Sequence, residues 1–427
     1  MKQLSEVLNR RLAPYIDAAK GSKVDGEMLR GCFLSTCDTT LTPTENGGLF
    51  VITGDIPAMW LRDSSAQLLH YVRFADDETV ADAIKRLLAT QAELINVDPY
   101  ANSFNITANG NHSKHYVDTP APGDRVWERK YELDSLCWPL YLASRYYEKT
   151  SDLSFANDDY LKALRTITDL CITETRHENS DYMFLRSGSS DTLDAGGHGG
   201  PVGYTGMIWS AFRPSDDRCK LHYPIYSNLF ALKSLGFAAK VFELKDDEEY
   251  RQKCLDLIKG VKDGIEKYGI IDHPRFGRMY AYETDGLGNF VLMDDANMPS
   301  LLALPVLGIC DKDDEIYRNT RAFVLSRENP YYYEGRYAKG VGSPHTPEGY
   351  IWHMALCARM MTADSAAERE EMLDMLISTH AGTKRMHESF DPNDPSRFTR
   401  AWFAWADSVF ADSVCTLIEQ NLLPSQR

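Results

Sequence analysis

Apolar residues recur along most of this chain at spacings of three and four positions, the period of an amphipathic helix. Within Glu78–Val97, one stripe is formed by Val80, Ile84, Leu87, Leu88 and Ile95. The same period predicts twelve helices, at Gln3–Ala19, Arg62–Ala75, Glu78–Val97, Tyr131–Tyr147, Phe155–Thr175, Tyr223–Phe242, Asp246–Lys267, Asn297–Leu307, Lys312–Ser326, Glu348–Met361, Ser365–Thr379 and Phe398–Ile418. The pattern therefore predicts an all-α protein.

The links between these helices alternate in length. Short links such as Asp76-Asp77 and Glu243–Lys245 follow one helix of each pair, and long segments precede the next pair, the longest being Arg176–His222. A short link makes two neighbouring helices antiparallel, so the long loops should all lie at one end of a closed ring. We therefore predict an (α/α)6 barrel whose six inner helices begin at that end, with six outer helices returning to it. The first helix should pack against the last and close the ring.

The chain shows no sign of division into smaller units. An open helical solenoid would show a repeat of fixed period, and none is present. No linker rich in Gly, Ser or Pro interrupts the chain, so residues 1–427 are predicted to form a single domain. Short strands are expected at the loop end, around Gly48–Thr53 and Arg278–Tyr282.

Composition narrows the class of protein. Hydrophobic residues make up 43% and charged residues 25%, the balance of a globular protein, and the net charge of -16 argues against a nucleic-acid partner. No apolar run approaches a membrane span and no secretory leader is visible, so no membrane association is expected. Nine cysteines without a Cys-x-x-Cys pair indicate neither disulfides nor zinc, which favours the cytoplasm.

The first two long loops end in charged residues at helix starts. In the first, Trp60 precedes Arg62 and Asp63, which together could grip adjacent sugar hydroxyls from a helix N-terminus. In the second, Glu132 and Asp134 should point to different faces, so at most one is expected to face into the barrel. Simple capping with a surface ion pair is the alternative for both loops.

The third long loop ends in Phe212-Arg213-Pro214-Ser215-Asp216-Asp217-Arg218. Adjacent carboxylates repel each other, so one of Asp216 and Asp217 is expected to be protonated while the other pairs with Arg213 or Arg218. A protonated carboxyl group is what a general acid requires. A solvated acidic turn is the alternative.

The remaining loops supply further polar side chains. Asp294, Asp295 and Asn297 either line a pocket or cap the eighth predicted helix, and His345 is either a ligand contact or a structural histidine. In the last loop, Glu388 lies among aromatic residues, which makes it a candidate general base.

Carboxylates, arginines and aromatic rings in every long loop match the needs of glycoside cleavage. Aromatic faces stack on sugar C–H surfaces, one acid protonates the leaving oxygen, and a second activates water or attacks. No catalytic metal is indicated, because His112 and His115 form the only close histidine pair and no third ligand lies nearby. The glycine-rich stretch at 196–200 matches neither a P-loop nor a dinucleotide motif, so no cofactor is expected.

The runs Asp55–Gln67, Thr205–Asp217 and the region of Glu388 closely resemble glycoside hydrolase family 125, across essentially the whole chain. The resemblance implies a metal-independent, inverting exo-α-1,6-mannosidase that acts on α-mannosides such as N-glycan-derived oligosaccharides. It places the general acid in the Asp216/Asp217 pair, with Asp216 preferred and Asp217 binding substrate, and it makes Glu388 the general base. In an inverting enzyme the two carboxyl groups stand roughly 6.5–9.5 Å apart. Substrate contacts are expected from Trp60, Arg62, Asp63, Glu132, Arg213, Asp295, Asn297 and His345.

Other functions fit the same fold. An inverting α-glucosidase, a trehalase or a glycosidic phosphorylase would use the same two-carboxylate pocket. A sugar epimerase would instead rely on paired histidines, for which His345 and His387 are the loop candidates. A catalytically silent carbohydrate-binding protein is a further alternative.

Overall fold

The computed structural model describes residues 1–113 and 115–425. Its helices are α1 (Lys2–Ala19), α2 (Gly26–Thr39), α3 (Leu61–Leu69), α4 (Glu78–Val97), α5 (Leu133–Thr150), α6 (Asp158–Glu174), α7 (Asp194–Gly197), α8 (Ile225–Leu244), α9 (Glu248–Tyr268), α10 (Glu315–Val324), α11 (His353–Met361), α12 (Ala366–Ser378) and α13 (Ala404–Glu419), with 3-10 turns at His70–Phe74 and His177–Asn179. Several begin at side-chain caps of the expected type, such as Ser365, whose hydroxyl accepts from the amide of Glu368 at 3.1 Å.

The strands are short and form small antiparallel sheets. They are β1 (Leu41–Pro43), β2 (Leu49–Val51), β3 (Met59–Trp60), β4 (Ser103–Phe104), β5 (Asp118–Thr119), β6 (Val126–Glu128), β7 (Leu185–Arg186), β8 (Tyr223–Pro224), β9 (Ile270–His273), β10 (Gly277–Tyr280), β11 (Glu283–Thr284), β12 (Phe290–Val291), β13 (Tyr332–Glu334), β14 (Lys339–Val341), β15 (Ile351–Trp352), β16 (Ser389–Asp391) and β17 (Asp394–Phe398). The three-stranded sheets are β3-β4-β6, β8-β11-β12 and β15-β16-β17. Strands near Gly48–Thr53 and Arg278–Tyr282 are present as predicted.

The helices form the predicted (α/α)6 barrel. Helices α3, α5 and α8 pack side by side, α11 packs on α13, and α13 returns to α3. Residues 298–308 complete the inner ring between α8 and α11, where the indole of Trp138 donates to the carbonyl of Met298 at 3.3 Å and Leu301 and Leu304 are fully buried. Helices α4, α6, α9, α10 and α12 lie outside.

Two helix predictions are corrected by the structure. The prediction misses α2, although its buried residues Met28, Leu29, Cys32, Phe33 and Cys37 recur at helical spacing. Its glycines, serine and threonines are weak helix formers. This helix, rather than α1, makes the main contact with α13 that closes the ring. The predicted helix Asn297–Leu307 is wrong, since these residues form only turns. Pro299 and Pro305 lack the amide hydrogens that a helix there would need.

The small sheets position the starts of the inner helices. Strand β3 ends where α3 begins, β8 where α8 begins, and β15 where α11 begins. Each strand hydrogen-bonds to a neighbouring loop, so helix N-termini and loops are fixed together at one end of the barrel. No helix in residues 1–113 and 115–425 combines the length and apolarity that a bilayer crossing requires.

Candidate active site

A cavity of about 240 Å³ opens at the end of the barrel where the inner helices begin. Its wall includes seven of the predicted site residues, namely Trp60, Arg62, Asp63, Asp216, Asn297, His345 and Glu388. The other four, Glu132, Arg213, Asp217 and Asp295, do not line it. A larger cavity of about 770 Å³ opens at the C-terminal ends of the inner helices, and its wall includes none of the predicted site residues.

Arg62, in the first turn of α3, is surrounded by four carboxyl groups. Its Nη1 lies 2.6 Å from Oε2 of Glu132 and 3.3 Å from Oδ2 of Asp134. Its Nη2 lies 3.3 Å from Oδ1 of Asp216, and its Nε lies 3.4 Å from Oδ2 of Asp63. The Arg62 side chain is only 3% exposed. One guanidinium cannot neutralise four such carboxylates, and burying an unpaired charge costs several kcal/mol, so the cluster must retain protons.

Glu132 and Asp134 therefore both contact the guanidinium of Arg62. The prediction that at most one of them faces into the barrel is wrong. Glu132 precedes α5 with extended backbone (φ -119°, ψ 118°). Its direction is consequently set by the loop rather than by helical rotation. Both side chains are fully buried beneath Arg62.

The protons of this cluster are unevenly distributed. Burial raises the pKa of Asp63 and the pKa of Asp134 to about 6, although Arg62 opposes the shift in both cases. Burial also raises the pKa of Glu132 well above its ordinary value. Burial alone would raise the pKa of Asp216 too, but Arg62 and a hydrogen bond from Glu132 hold it below its ordinary range. In the free protein, the proton between Glu132 and Asp216 therefore resides on Glu132.

Two residues absent from the predicted site hold Asp216 in place. Asn102 donates from Nδ2 to Oδ1 of Asp216 at 3.1 Å, and Lys130 donates from Nζ to the backbone carbonyl of Asp216 at 2.7 Å. Asp216 has left-handed backbone (φ 65°), which costs a non-glycine residue on the order of 1 kcal/mol. Lys130 lies beside Glu132 in the sequence, whereas nothing in the sequence around Asn102 signals its role.

Asp217 points away from Asp216 and contacts His345. Its Oδ1 lies 3.5 Å from Nδ1 of His345, and its Oδ2 accepts from the hydroxyl of Ser215 at 2.9 Å. Desolvation alone would lower the pKa of His345, but the hydrogen bond and charge of Asp217 raise it to about 9. His345 is thus held as a cation on the cavity wall at neutral pH.

This pair predicts a pH-dependent stability contribution from His345. A raised histidine pKa stabilises the fold below the ordinary value of 6.5, and the effect is lost as the pH rises through about 9. Because 37% of the His345 side chain is exposed, solvent screens the pair, and we expect His345→Gln to lower the free energy of unfolding by about 1 kcal/mol or less. Urea unfolding at about pH 6 and about pH 9.5 measures this difference, which should shrink at the higher pH.

The exposed His112 offers a matched control. Among the described residues, the ring of His112 contacts the uncharged carbonyl of Gly110 rather than a carboxylate, so His112→Gln removes no ion pair. An equal effect of His345→Gln at both pH values would contradict the assigned ion pair.

Glu388 lines the same cavity as Arg62 and lies at the end of the loop that leads into β16. Its side chain is 9% exposed, and Nη1 of Arg400 lies 3.8 Å from its Oε1. Arg400 is itself held by Asp55, with Nε 2.9 Å from Oδ1, and its guanidinium lies 4.4 Å from the ring centre of Phe403. Arg400 and Asp55 fall within motifs that the sequence singles out, although neither is among the predicted site residues.

Aromatic rings form much of the remaining wall. Trp60, Trp352, Phe403 and Trp405 all line the cavity. The guanidinium of Arg62 lies 5.7 Å from the ring centre of Trp405. Such faces suit the C–H surfaces of a sugar ring and tolerate developing positive charge.

The two arginines Arg213 and Arg218 pair with other carboxylates rather than with Asp216 or Asp217. Nε of Arg213 donates to Oε1 of Glu283 at 2.6 Å, and Nη1 of Arg218 lies 2.9 Å from Oδ1 of Asp194. The prediction that Arg213 or Arg218 pairs with one of the two adjacent aspartates is therefore wrong. The intervening turn directs both arginines away from the carboxylates.

The segment before residues 298–308 serves both roles that the sequence left open. Asp294 caps this segment by accepting from the amides of Leu301 and Leu302, both at 2.9 Å. Asn297 lines the cavity, and its Nδ2 donates to Oδ1 of buried Asp295 at 3.0 Å. Asp295 thereby orients Asn297 from behind.

This arrangement can perform acid–base chemistry on a neutral ligand. Asp216 and Glu388 reach one cavity from different loops, with Arg62 beside Asp216 and Arg400 beside Glu388. A pair of carboxyl groups flanking an aromatic-lined pocket is the arrangement that glycosidases use.

Comparisons with known proteins agree with this chemistry. A family model described as metal-independent α-mannosidase, glycoside hydrolase family 125, matches residues 25–415. The Schizosaccharomyces pombe protein named meiotically up-regulated gene 157 protein is 37% identical over 418 residues, which cover 92% of this chain and 82% of that protein. A solved Streptococcus pneumoniae structure of a metal-independent α-mannosidase is 40% identical to this chain, with a TM-score of 0.90. The match covers 98% of this chain and 97% of that chain. That structure is a non-productive complex with α-1,6-mannobiose.

More distant structures share the fold alone. A Saccharomycopsis fibuligera glucoamylase is 12% identical with a TM-score of 0.58, covering 92% of this chain and 94% of that chain. The predicted barrel and the predicted family are both confirmed, and the protein is a glycoside hydrolase with α-mannosidase activity. The chain belongs to glycoside hydrolase family 125, the metal-independent α-mannosidases.

Proposed function

We propose that this enzyme is an inverting exo-α-1,6-mannosidase that removes non-reducing terminal mannose from N-glycan-derived oligosaccharides. The observation that carries the proposal is one cavity with Asp216 and Glu388 on its wall. At about 240 Å³ it is smaller than the roughly 300–1,000 Å³ of common ligand pockets, which suits a single terminal sugar. The α-1,6 linkage is supported by the mannobiose bound to the S. pneumoniae structure.

In this proposal Asp216 is the general acid and Glu388 the general base. Asp216 lines the cavity, whereas Asp217 does not line it and is occupied by His345 and Ser215. Asp217 consequently acts on substrate through His345. Glu388 lines the same cavity and has Nη1 of Arg400 3.8 Å from its Oε1.

The proposed reaction is a single displacement. Asp216 gives a proton to the glycosidic oxygen while the bond from that oxygen to C1 breaks, and the bonding pair leaves with the oxygen. Water attacks C1 from the opposite face and loses its proton to the Glu388 carboxylate. The sugar leaves as β-mannose.

Several buried polar atoms support the placement of the sugar. Among the described residues, Nε1 of Trp60 has no hydrogen-bond partner, and Oδ2 of Asp63 has the 3.4 Å ion contact with Nε of Arg62 but no hydrogen bond. Both residues line the cavity. Buried polar groups are nearly always paired in a folded protein, so these atoms suit sugar hydroxyls as partners. Asn297 and His345 offer further donors on the same wall.

The substrate specificity is tested by comparing hydrolysis of α-1,6-, α-1,3- and α-1,2-mannobiose with that of glucose disaccharides. We expect α-1,6-mannobiose to give the highest kcat/KM, with no dependence on phosphate. A preference for a glucoside, or a rate that requires phosphate, would replace the proposal with a glucosidase or a phosphorylase.

We also propose that the whole chain forms one catalytic domain that works in the cytoplasm. Buried apolar residues from Leu4 to Leu417 belong to one connected core, which supports a single domain. All nine cysteines are free thiols, which is usual in a reducing compartment.

A further inference from the structure

Glu132 lies in contact with Asp216, although it does not line the cavity. Its carboxyl group is completely buried, whereas 22% of the Asp216 side chain is exposed. The two groups share their donors, because each accepts from a different terminal nitrogen of Arg62 and both accept from Nδ2 of Asn102, at 3.3 and 3.1 Å. A hydrogen bond between them raises the pKa of Glu132 and lowers the pKa of Asp216. Two carboxyl groups can hydrogen-bond only when a proton lies between them.

We propose that Glu132 is a positioning residue that stores the proton which Asp216 delivers to the leaving oxygen. This inference rests on the proposed function, in which Asp216 is the general acid. Glu132 has no direct path to a sugar, so it acts only through Asp216. A substrate contact, which the sequence suggested for Glu132, does not fit its position behind Arg62.

The surrounding charges explain why the proton is kept. The Glu132–Asp216 pair faces Arg62 and Asp63 from α3, Asp134 from α5, Lys130 from the loop before α5, and His345 from the cavity wall. The hydroxyl of Ser135 donates to Oε2 of Glu132 at 2.7 Å. If Glu132 and Asp216 were both ionised beside Asp134 and Asp63, the negative charge would exceed the positive charge of these cations. Burial accordingly raises the pKa of Glu132, and the pair holds one proton at neutral pH.

The proton then moves in a defined order. Bound sugar covers the exposed part of Asp216, and the lost solvation raises the pKa of this carboxyl towards that of its partner. The shared proton crosses the hydrogen bond to Asp216 and passes to the glycosidic oxygen, which leaves Glu132 and Asp216 both ionised beside Arg62 and Lys130. Glu388 has meanwhile taken one proton from the attacking water. Release of that proton to solvent and uptake of one by the pair restore the starting state.

Glu132→Gln tests this proposal, because the amide still donates a hydrogen bond to Asp216 but has no proton to give. We expect kcat on α-1,6-mannobiose to fall by about 10²-fold or more, the usual contribution of a general acid. The basic limb of its pH–rate profile should move to lower pH. Hydrolysis of α-mannosyl fluoride should fall by less than about tenfold, because fluoride departs without protonation.

Asp134→Asn is the matched control, since Asp134 is equally buried on the same guanidinium. It should change the rates on both substrates by a similar factor, because Glu132 and Asp216 are both still present. Equal losses on both substrates in Glu132→Gln, or an unmoved pH profile, would overturn the proposal.

A second variant covers the case in which Glu132→Gln does not fold. Glu132→Asp keeps an acid but withdraws it from Asp216 by one methylene, and the same selective loss on mannobiose is expected. Equal losses on both substrates would again overturn the role of Glu132. Failure of the proposed function would appear separately, as a wild-type enzyme that does not hydrolyse α-1,6-mannobiose.

Discussion

Glu388→Gln is expected to lower kcat on α-1,6-mannobiose by about 10²- to 10⁴-fold, the range that general base catalysis usually contributes. The glutamine amide cannot accept a proton from the attacking water, and the charge contact with Arg400 is lost. The rate on α-mannosyl fluoride should fall by a similar factor, because both substrates need an activated water. Steady-state kinetics on the two substrates measure this directly, with KM expected to change little.

Asp391→Asn is a suitable control for the Glu388 variant. Asp391 lies three residues further along, in β16, and its contact is with Arg397 at 3.4 Å rather than with the cavity. We expect near wild-type rates from it. If Glu388→Gln kept more than about a tenth of the wild-type kcat, another group would have to be the base.

Asp216→Asn is expected to lower kcat on α-1,6-mannobiose by about 10²- to 10⁴-fold while affecting α-mannosyl fluoride far less. The asparagine side chain can still accept from Arg62 and Asn102, so the site should keep its shape. Only the substrate whose leaving group needs a proton should react much more slowly. The ratio of the two rate losses is therefore the informative quantity.

Asp217→Asn provides the comparison that separates the two adjacent aspartates. This carboxyl group holds His345, so its loss should raise KM more than it lowers kcat. The reverse result, with selective loss on mannobiose in Asp217→Asn and not in Asp216→Asn, would move the general acid to Asp217.

The barrel was predictable because its information lies in local periodicity and loop length. A stripe such as that of α4 exists only if one face is buried, and short links dictate antiparallel neighbours. Helix α2 was missed although its buried residues recur at helical spacing, because Gly26, Gly31 and Ser35 lower its intrinsic helix propensity. Residues 298–308 were misjudged because their apolar spacing is helical, whereas their prolines break the backbone hydrogen bonds.

The site was predictable in its chemistry but not in its internal pairing. Trp60, Arg62 and Asp63 stand out as a tryptophan and a charged pair at a helix start, and Glu388 stands out as an acid among aromatic residues. The sequence could not show that Glu132 and Asp134 both reach Arg62, since this depends on the extended backbone at residue 132. Asn102, an ordinary loop residue 114 positions away from Asp216, becomes important only through the fold.

We propose that Asp216 and Glu388 act on opposite faces of one terminal mannose without a metal. Proton NMR of α-1,6-mannobiose hydrolysis in EDTA tests it most directly, because the anomeric signal of the first product reports the face that water attacked. We expect full activity in EDTA, with β-mannose appearing first and mutarotating to the α form later. Initial release of α-mannose, or loss of activity in EDTA, would contradict it.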